Sequence, residues 1–325
     1  MFKQLKNGSP LLKLFLAILF SWLLCSLLYA FFLQNLQKYE VNNTERLTEL
    51  LTQKTKHDVL FIGSSRVHFH INPKIVDSIT NLSTYNAGIQ GGIMEDFEMI
   101  LLAYLENHPA PKILSLTIDL ISFDNEKPMF NYPVYFPYAQ KNKVIQQYLK
   151  KNGYLPWYKE LFPFLRMTDY DDNTKGNLLK YWMGRTEINQ GDFQYKGYIS
   201  NTDVTIKQEP FVTNTFQLQV TKTSWNSLER IIELCQQKKI TIMLSYAPEY
   251  KKAYQNQVKN ADNILQQITN LAKQNQIPFF RDDLLELSNN PNYFANTTHL
   301  NKEGASVYSQ YFGNRLKELH KNLYK

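Results

Sequence analysis

The sequence predicts an α/β protein with a three-layer parallel sheet, an aromatic-rich insertion and an N-terminal membrane-spanning helix. A short apolar run of β-branched and large residues at 59–62 ends at Gly63-Ser64-Ser65, and strand-like segments such as 113–118 alternate with amphipathic helical segments. A short apolar run bounded by Gly and Ser is typical of a strand that is buried on both faces of a sheet. Strand, helix and strand in this order imply right-handed parallel crossovers, which place helices on both faces.

The individual elements follow from periodicity and from turn residues. The segment 94–107 carries apolar residues at helical spacing, and 84–87 is a short strand-like segment that ends in a glycine-rich loop. The predicted strands are 58–62, 84–87, 113–118, 240–244 and 277–280. The predicted helices are 94–107, 223–237, 262–275 and 301–322.

Length and composition restrict the classes of protein that the chain can represent. With 325 residues, 43% of them hydrophobic and 14% aromatic, the chain can build a large core with an insertion. The net charge of +7 is not gathered in a basic stripe with interleaved aromatic residues, so no nucleic-acid partner is expected. The two cysteines, Cys25 and Cys235, give neither a disulfide framework nor a metal-ligand spacing. We therefore expect no metal and no organic cofactor.

Residues 14–33 form an apolar stretch of 20 residues without a charged side chain. At about 1.5 Å per residue, a helix of this length spans a hydrocarbon core of ~30 Å. The competing interpretation is a cleaved signal peptide, whose apolar core is shorter and ends at a small-x-small site that this stretch lacks. Because Lys3, Lys6 and Lys13 lie on its N-terminal side, the positive-inside rule predicts a cytoplasmic N-terminus. The rest of the chain is then extracytoplasmic, in the periplasm or at the cell surface.

The sequence divides into an anchor, a stalk and one α/β domain. Residues 1–33 contain the cytoplasmic N-terminus and the anchor, 34–56 are a polar, helix-compatible stalk, and 57–325 form the domain. Within the domain, 123–218 is rich in Tyr, Trp, Pro and Asn and breaks the strand–helix pattern. It is predicted to be an insertion between the third and fourth strands. Either it is an irregular excursion packed over the sheet edge, or it is a lid, substrate wall or partner surface with aromatic platforms.

Ser65 and His299 are the candidates for chemistry. Ser65 follows the first strand through Gly63 and Ser64, and His299 lies just before the last helix. The C-terminal ends of parallel strands meet at one edge, so the two side chains could lie together there, and a serine needs a nearby base to act as a nucleophile. The structural alternatives are a strand that ends in a polar turn and a histidine that packs near a helix start. The other histidines are weaker candidates: His57, His68, His70, His108 and His320.

Three short blocks resemble the SGNH (GDSL) hydrolase superfamily. Gly63-Ser64-Ser65-Arg66 is similar to the first block in its membrane-anchored form, and Asn86-Ala87-Gly88 is similar to the second block. The segment 296–301, NTTHLN, is similar to the last block, D-x-x-H-L-N. The resemblance covers about residues 57–120 and 219–320 and implies an SGNH/flavodoxin-like sheet. The anchored layout also resembles cell-envelope acylation proteins, such as the D-alanyl transfer protein of teichoic acid modification.

The resemblance implies a role for each matching residue. Ser65 matches the nucleophile and His299 the general base. The backbone N–H groups of Ser65 and Gly88 match part of the oxyanion hole, whose donors stabilise the developing negative charge. Asn296 takes the position of the acid that orients the histidine.

The sequence departs from the family pattern at two positions. The third block, G-x-N-D, normally supplies an asparagine to the oxyanion hole, whereas the third strand here ends in Asp119. Asp119 could orient Arg66 or bind substrate. Asn296 stands where the family has Asp, so Asp282 or Asp283 after the last strand could supply the acid instead.

The resemblance implies a membrane-anchored, extracytoplasmic serine esterase or O-acyltransferase that acts on an acyl group of a cell-envelope glycan or lipid. The expected partners are the membrane, that glycan or lipid, and a membrane acyltransferase. The alternative is a catalytically degenerate SGNH-like module that binds an envelope polymer or a membrane partner. The two departures favour this alternative, whereas the retained Ser65, Gly88 and His299 oppose it.

Overall fold

The computed structural model of the protein describes residues 9–38, 44–124, 132–184, 193–201, 204–206 and 215–323. These residues fall into two units. The smaller unit contains the described residues within Met1–Thr48 and Asn131–Asn189, and the larger contains those within Glu49–Phe130 and Gln190–Lys325.

A parallel sheet of five strands is the centre of the larger unit. The strands of the chain are β1 Val59–Ile62, β2 Thr84–Asn86, β3 Ile113–Ile118, β4 Phe193–Tyr195, β5 Tyr198–Ile199, β6 Thr241–Tyr246 and β7 Phe279–Arg281. The sheet order is β2-β1-β3-β6-β7, and every neighbouring pair is parallel. This is the doubly wound order, in which the chain reverses direction across the sheet between β1 and β3. β4 and β5 form a separate antiparallel pair.

The α-helices flank the strands. They are α1 Pro10–Lys38, α2 Thr44–Thr52, α3 Ser65–His70, α4 Pro73–Thr80, α5 Met94–Asn107, α6 Lys143–Lys151, α7 Trp157–Leu161, α8 Asp172–Trp182, α9 Lys222–Lys238, α10 Ala253–Gln257, α11 Ala261–Gln274 and α12 Lys302–Leu323. The predicted ranges 94–107 and 113–118 coincide with α5 and β3. The other predicted elements of the sheet unit differ from those observed by at most two residues at either end.

Two helical layers cover the sheet. Val59 and Phe61 of β1 belong to a core that includes Tyr308 and Phe312 of α12, and the rings of Phe61 and Phe312 are 5.5 Å apart in an edge-to-face arrangement. α12 packs on α4, whereas α5 contacts β1 and α9. All four residues of β1 are buried, as expected of a strand that is covered on both faces. The prediction of an α/β fold with a parallel sheet is therefore confirmed.

The smaller unit combines α1 with residues 132–184 of the predicted insertion. The segment Pro10–Gln37 is long and apolar enough to cross a membrane, and its most apolar window is not buried inside the protein; a signal sequence satisfies the same test. Residues 34–38, predicted to begin the stalk, continue α1. Phe32 of α1 packs edge-to-face on Tyr170 with ring centroids 5.1 Å apart. Residues 193–201 of the predicted insertion belong to the larger unit, and 185–192 lie outside the described residues.

Candidate active site

Ser65 and His299 meet at the C-terminal edge of the sheet. Ser65 is the first residue of α3, and the Ser64 side chain caps this helix by accepting a hydrogen bond from Arg66 N at 3.1 Å. His299 lies in the loop before α12. The Ser65 Oγ atom is 2.8 Å from His299 Nε2, although the two residues are 234 positions apart in the sequence. This distance permits proton transfer from the hydroxyl to the imidazole.

Asn296 sets the orientation of the His299 ring. Its Oδ1 atom accepts hydrogen bonds from the backbone N–H groups of Thr298 and His299 at 3.0 and 2.9 Å. Because backbone N–H groups only donate, the side-chain atom that faces them is the oxygen. The same oxygen lies 3.1 Å from His299 Nδ1, which must therefore carry the proton. Nε2 is then the unprotonated nitrogen, which faces Ser65.

The surroundings of His299 favour the neutral imidazole. Burial is the larger cause and the positive charge of Arg66 the smaller, and together they lower the pKa of His299 to about 4. Asn296 holds the ring in place but brings no negative charge to balance an imidazolium. His299 is thus unprotonated near neutral pH and is a weak base.

Neither of the two aspartates considered as substitute acids lies against His299. Asp282 accepts hydrogen bonds from Tyr308 OH at 2.7 Å and from Arg315 Nη1 at 2.9 Å. Asp283 forms an ion pair with Arg281 at 2.8 Å. The two carboxylates follow one another along a tight 3-10 turn, and each is held by an arginine. The expectation that one of them supplies the acid is not met by this geometry.

Gly88 lies beside α3, but its N–H group is already engaged. This N–H donates to Asn86 Oδ1 at 3.0 Å, so it is not aimed at the cleft as expected of an oxyanion donor. Asn86 Nδ2 in turn donates to two carbonyl oxygens, in α3 and at its C-terminal cap, each at 2.7 Å. A Cβ atom at Gly88 would lie 2.4 Å from His68 N, so only glycine permits this approach. The loop after β2 thus fixes the helix that begins with Ser65.

Arg66 and Asp119 form a buried ion pair beside the cleft. The Arg66 guanidinium contacts Asp119, and the Ser64 hydroxyl donates to the same carboxylate. Arg66 also lies over the Tyr246 ring, 4.7 Å from its centroid. Arg66 is 4% exposed and Asp119 is 2% exposed, so neither charge is solvated. The structure thus places Asp119 where it orients Arg66, which was one of the two roles considered.

Glu249, which sequence reasoning missed, extends this ionic cluster. It is fully buried, and its Oε2 atom lies 3.8 Å from Arg66 Nη1. The Gln255 side chain bridges Glu249 and Asp283, with distances of 2.9 and 2.8 Å. The cluster therefore runs across the C-terminal ends of β1, β3, β6 and β7. Glu249 lies three residues after β6, and this position was the only sequence signal that could have identified it.

His70, one of the weaker candidates by sequence, connects the loop that carries His299 to α3. Its Nε2 atom accepts a hydrogen bond from Leu300 N at 3.0 Å, and its ring lies 6.1 Å from the His299 ring. Complete burial holds the pKa of His70 well below its usual range, so the ring stays a neutral acceptor. Nothing in the sequence separates His70 from His68, since both lie at the end of the same short helix.

The site has no arrangement typical of a metal centre. Within the residues that the structure describes, no group of three or more histidine, cysteine or acidic side chains is placed to hold a metal ion. The acidic groups of the cluster are instead paired with arginines. The chemistry available here is that of a hydroxyl, an imidazole and backbone donors.

The chain is distantly similar to several solved structures. No protein-family profile matches the sequence, and a search of curated proteins found no match. Among solved structures, a proposed platelet activating factor from Streptococcus pneumonia matches at 15% identity over 90% of this chain and 98% of that one, with a TM-score of 0.44. A GDSL-like lipase from Bacteroides thetaiotaomicron matches at 12% identity over 87% and 98%, with a TM-score of 0.42. A proposed lipolytic protein of the G-D-S-L family from Desulfitobacterium hafniense matches at 11% identity over 80% and 99%, with a TM-score of 0.39.

Proposed function

We propose that the protein is a serine esterase or O-acyltransferase of the SGNH (GDSL) type. The observation that supports this most is the 2.8 Å distance between Ser65 Oγ and His299 Nε2 at the C-terminal edge of a doubly wound sheet. The three sequence blocks that resemble the superfamily contribute to this same edge. We further propose that α1 anchors the protein in the membrane and that the acyl group belongs to a cell-envelope glycan or lipid. A membrane acyltransferase is the proposed protein partner.

The proposed reaction uses the hydroxyl, the imidazole and the N-terminus of α3. Ser65 Oγ attacks the acyl carbonyl carbon while its proton passes to His299 Nε2. The Ser65 N–H lies in the first turn of α3, where helix N–H groups have no intrahelical partner, and it stabilises the oxyanion. His299 then gives the proton to the leaving alcohol as the C–O bond breaks. Water or a sugar hydroxyl attacks the acyl-enzyme by the same route and releases Ser65.

The electrostatics of the site predict slow turnover. Proton transfer creates an imidazolium at His299, and the nearby Arg66 guanidinium opposes this charge. A general base contributes most when its pKa lies near the working pH, whereas the pKa of His299 is about 4. The proposed enzyme is therefore a weak hydrolase of simple esters.

Fluorophosphonate labelling tests the proposed nucleophile. The full chain in detergent micelles should form a covalent adduct at Ser65, located by mass spectrometry, because only a serine with a nearby base reacts readily. Ser65→Ala should abolish the adduct. Ser306→Ala, which removes an unrelated hydroxyl on α12, should leave it unchanged. An adduct that persists in Ser65→Ala would show that another hydroxyl is the nucleophile.

A catalytically degenerate binding module is the second candidate. The neutral Asn296 and the engaged Gly88 N–H favour it, because both weaken transition-state stabilisation. The folded wild-type protein would then form no fluorophosphonate adduct. It would instead retain an envelope glycan on an affinity column, and Ser65→Ala would retain it equally.

Asn296→Asp should raise both the pKa of His299 and the rate of ester hydrolysis. In the wild type, kcat/KM should fall only as the pH drops through about 4, where His299 gains its proton. A carboxylate at position 296 favours the charged imidazole and should raise this pKa by about 1–3 units. The acid limb of the profile then moves to higher pH, while the rate above pH 7 increases. Profiles measured with a small activated ester would reveal both changes.

Asn290→Asp is the matched control for this prediction. It adds the same charge to a nearby loop, where the native Asn290 side chain accepts a hydrogen bond only from Asn292 N. Its pH profile should match that of the wild type. An acid limb that stays near pH 4 in Asn296→Asp would contradict the proposed role of Asn296.

A further inference from the structure

Residues 157–183 of the smaller unit present an apolar face that the described protein leaves uncovered. Trp157 is 72% exposed and Leu161 is 52% exposed, and no residue of α7 is buried. Leu179, Trp182 and Met183, in α8 and at its C-terminal end, are also exposed. Exposed large apolar side chains in this number are uncommon on surfaces that face water, and extensive apolar surface marks interaction sites. We call this set the 157–183 face.

Two tryptophan hydrogen bonds hold the 157–183 face along α1. The Trp22 indole N–H donates to the Leu161 carbonyl oxygen at 2.8 Å. The Trp182 indole N–H donates to Asn35 Oδ1 at 3.1 Å. Asn35 lies 13 residues after Trp22 on the same helix, which corresponds to about 20 Å along its axis. The face therefore runs along the C-terminal half of the apolar stretch 14–33.

We propose that the 157–183 face is immersed in the extracytoplasmic leaflet of the bilayer, in direct contact with lipid. This inference rests on the proposed anchoring by α1. The apolar side chains of α1 and of the face are continuous, and a bilayer that surrounds α1 at the level of Trp22 also meets Trp157 and Leu161. The occupant is lipid because a hydrocarbon core of ~30 Å extends about 15 Å on either side of its midplane, and a face that follows α1 for about 20 Å from Trp22 therefore crosses one leaflet and reaches the interface.

The polar atoms of the face are arranged as a lipid environment requires. Backbone N–H and C=O groups in hydrocarbon need a hydrogen-bond partner within the protein. Leu161 is the last residue of α7, so its carbonyl has no partner within the helix. The Trp22 indole supplies that partner. Trp182, beside Asn35, is at the level where tryptophan is enriched at the membrane–water interface.

Two of the lysines in or next to α7 are paired with acidic side chains. Lys159 binds Asp169 at 2.6 Å, and Lys150 binds Glu160 at 2.7 Å, which lowers the cost of bringing these groups near hydrocarbon. Residues 132–184 carry eight lysine and arginine residues against four acidic ones. This excess of positive charge favours a surface that contains anionic lipid.

A shallow groove continues the face onto α1. Its volume is about 330 Å³, and its walls include Ala17, Ser21, Trp22, Cys25, Phe162 and Phe164. Five of these six side chains are apolar or weakly polar, and the groove opens to the surroundings of α1. Such a groove suits a segment of an acyl chain rather than a water-soluble ligand.

Nitroxide labels on the full chain in lipid nanodiscs test the proposal. The nanodiscs contain phosphatidylcholine with a minor fraction of phosphatidylglycerol, and the background is Cys25→Ser with Cys235→Ala. Single labels are introduced through Trp157→Cys and Leu161→Cys, at positions where exposed side chains tolerate a label. Leu23→Cys reports the anchor, and Gln310→Cys, exposed on α12, reports a site in water.

Collision rates with oxygen, which partitions into lipid, and with a water-soluble nickel complex distinguish the outcomes. We expect the oxygen-to-nickel ratio at positions 157 and 161 to equal that at 23 and to exceed that at 310 several-fold. A lipid-like ratio at 23 together with a water-like ratio at 157 and 161 would overturn the immersion proposal and keep the anchor. A water-like ratio at 23 as well would overturn both the anchoring and the immersion.

Discussion

Ser65→Ala is expected to lower kcat for ester hydrolysis by about 10⁴, and His299→Gln by the same factor. In the proposed mechanism the hydroxyl and the imidazole act in one proton-transfer step, so the loss of either should remove the whole step. Because the wild-type base is weak, we expect a loss of kcat at the lower end of the range that is seen when serine hydrolases lose a catalytic group. Stopped assays with an activated aryl ester measure the loss.

The double variant gives the sharper result. If the two groups act as a unit, Ser65→Ala combined with His299→Gln should be no slower than either single variant. His320→Gln, a histidine far along α12, is the control and should keep wild-type activity. Losses that multiply in the double variant would mean that Ser65 and His299 act independently, which the proposed mechanism does not allow.

Asp119→Asn is expected to destabilise the sheet unit by about 3 kcal/mol, because it leaves a buried guanidinium without its main partner. The neighbouring Glu249 carboxylate, 3.8 Å from Arg66, compensates in part and keeps the loss from being larger. The melting temperature of the full chain, followed by tryptophan fluorescence in detergent micelles, should fall accordingly. The remaining asparagine oxygen can still accept from Ser64, so the helix cap should survive.

Asp58→Asn is the matched control for the buried pair. Asp58 pairs with Lys112 at 3.0 Å, but their side chains are 21% and 43% exposed. Exposed ion pairs contribute about 0–1 kcal/mol, so the melting temperature should change little. Equal decreases of the melting temperature in Asp119→Asn and Asp58→Asn would show that burial does not increase the contribution of the Arg66–Asp119 pair to stability.

The strongly patterned elements of the sheet unit were predictable from the sequence. β3 and α5 have the predicted bounds because a run dominated by Ile and Leu and a helical stripe of apolar residues are each strong local patterns. The convergence of Ser65 and His299 followed from topology, since all parallel strands end at one edge. Their separation of 2.8 Å depends on side-chain packing that no local pattern encodes.

Other features could not be predicted from the sequence, because one group has two or more possible partners that are chemically equivalent. The Gly88 N–H could point to the cleft or to Asn86 Oδ1, and both outcomes fit the same three-residue block. Asp282 and Asp283 are adjacent and chemically alike, but the tight turn that carries them directs each to a different arginine. The grouping of residues 132–184 with α1 rests on contacts between segments about 100 residues or more apart, such as Trp22 with Leu161.

The 234-residue separation of Ser65 from His299 has a consequence for biosynthesis. At synthesis rates of about 5–20 residues per second, the nucleophile is made between roughly 10 and 50 s before its base. During this interval β1 and α3 can form, but β6, β7 and the loop that carries His299 do not yet exist. The emerging chain therefore lacks the proposed Ser65–His299 pair, which can form only in the final stage of folding.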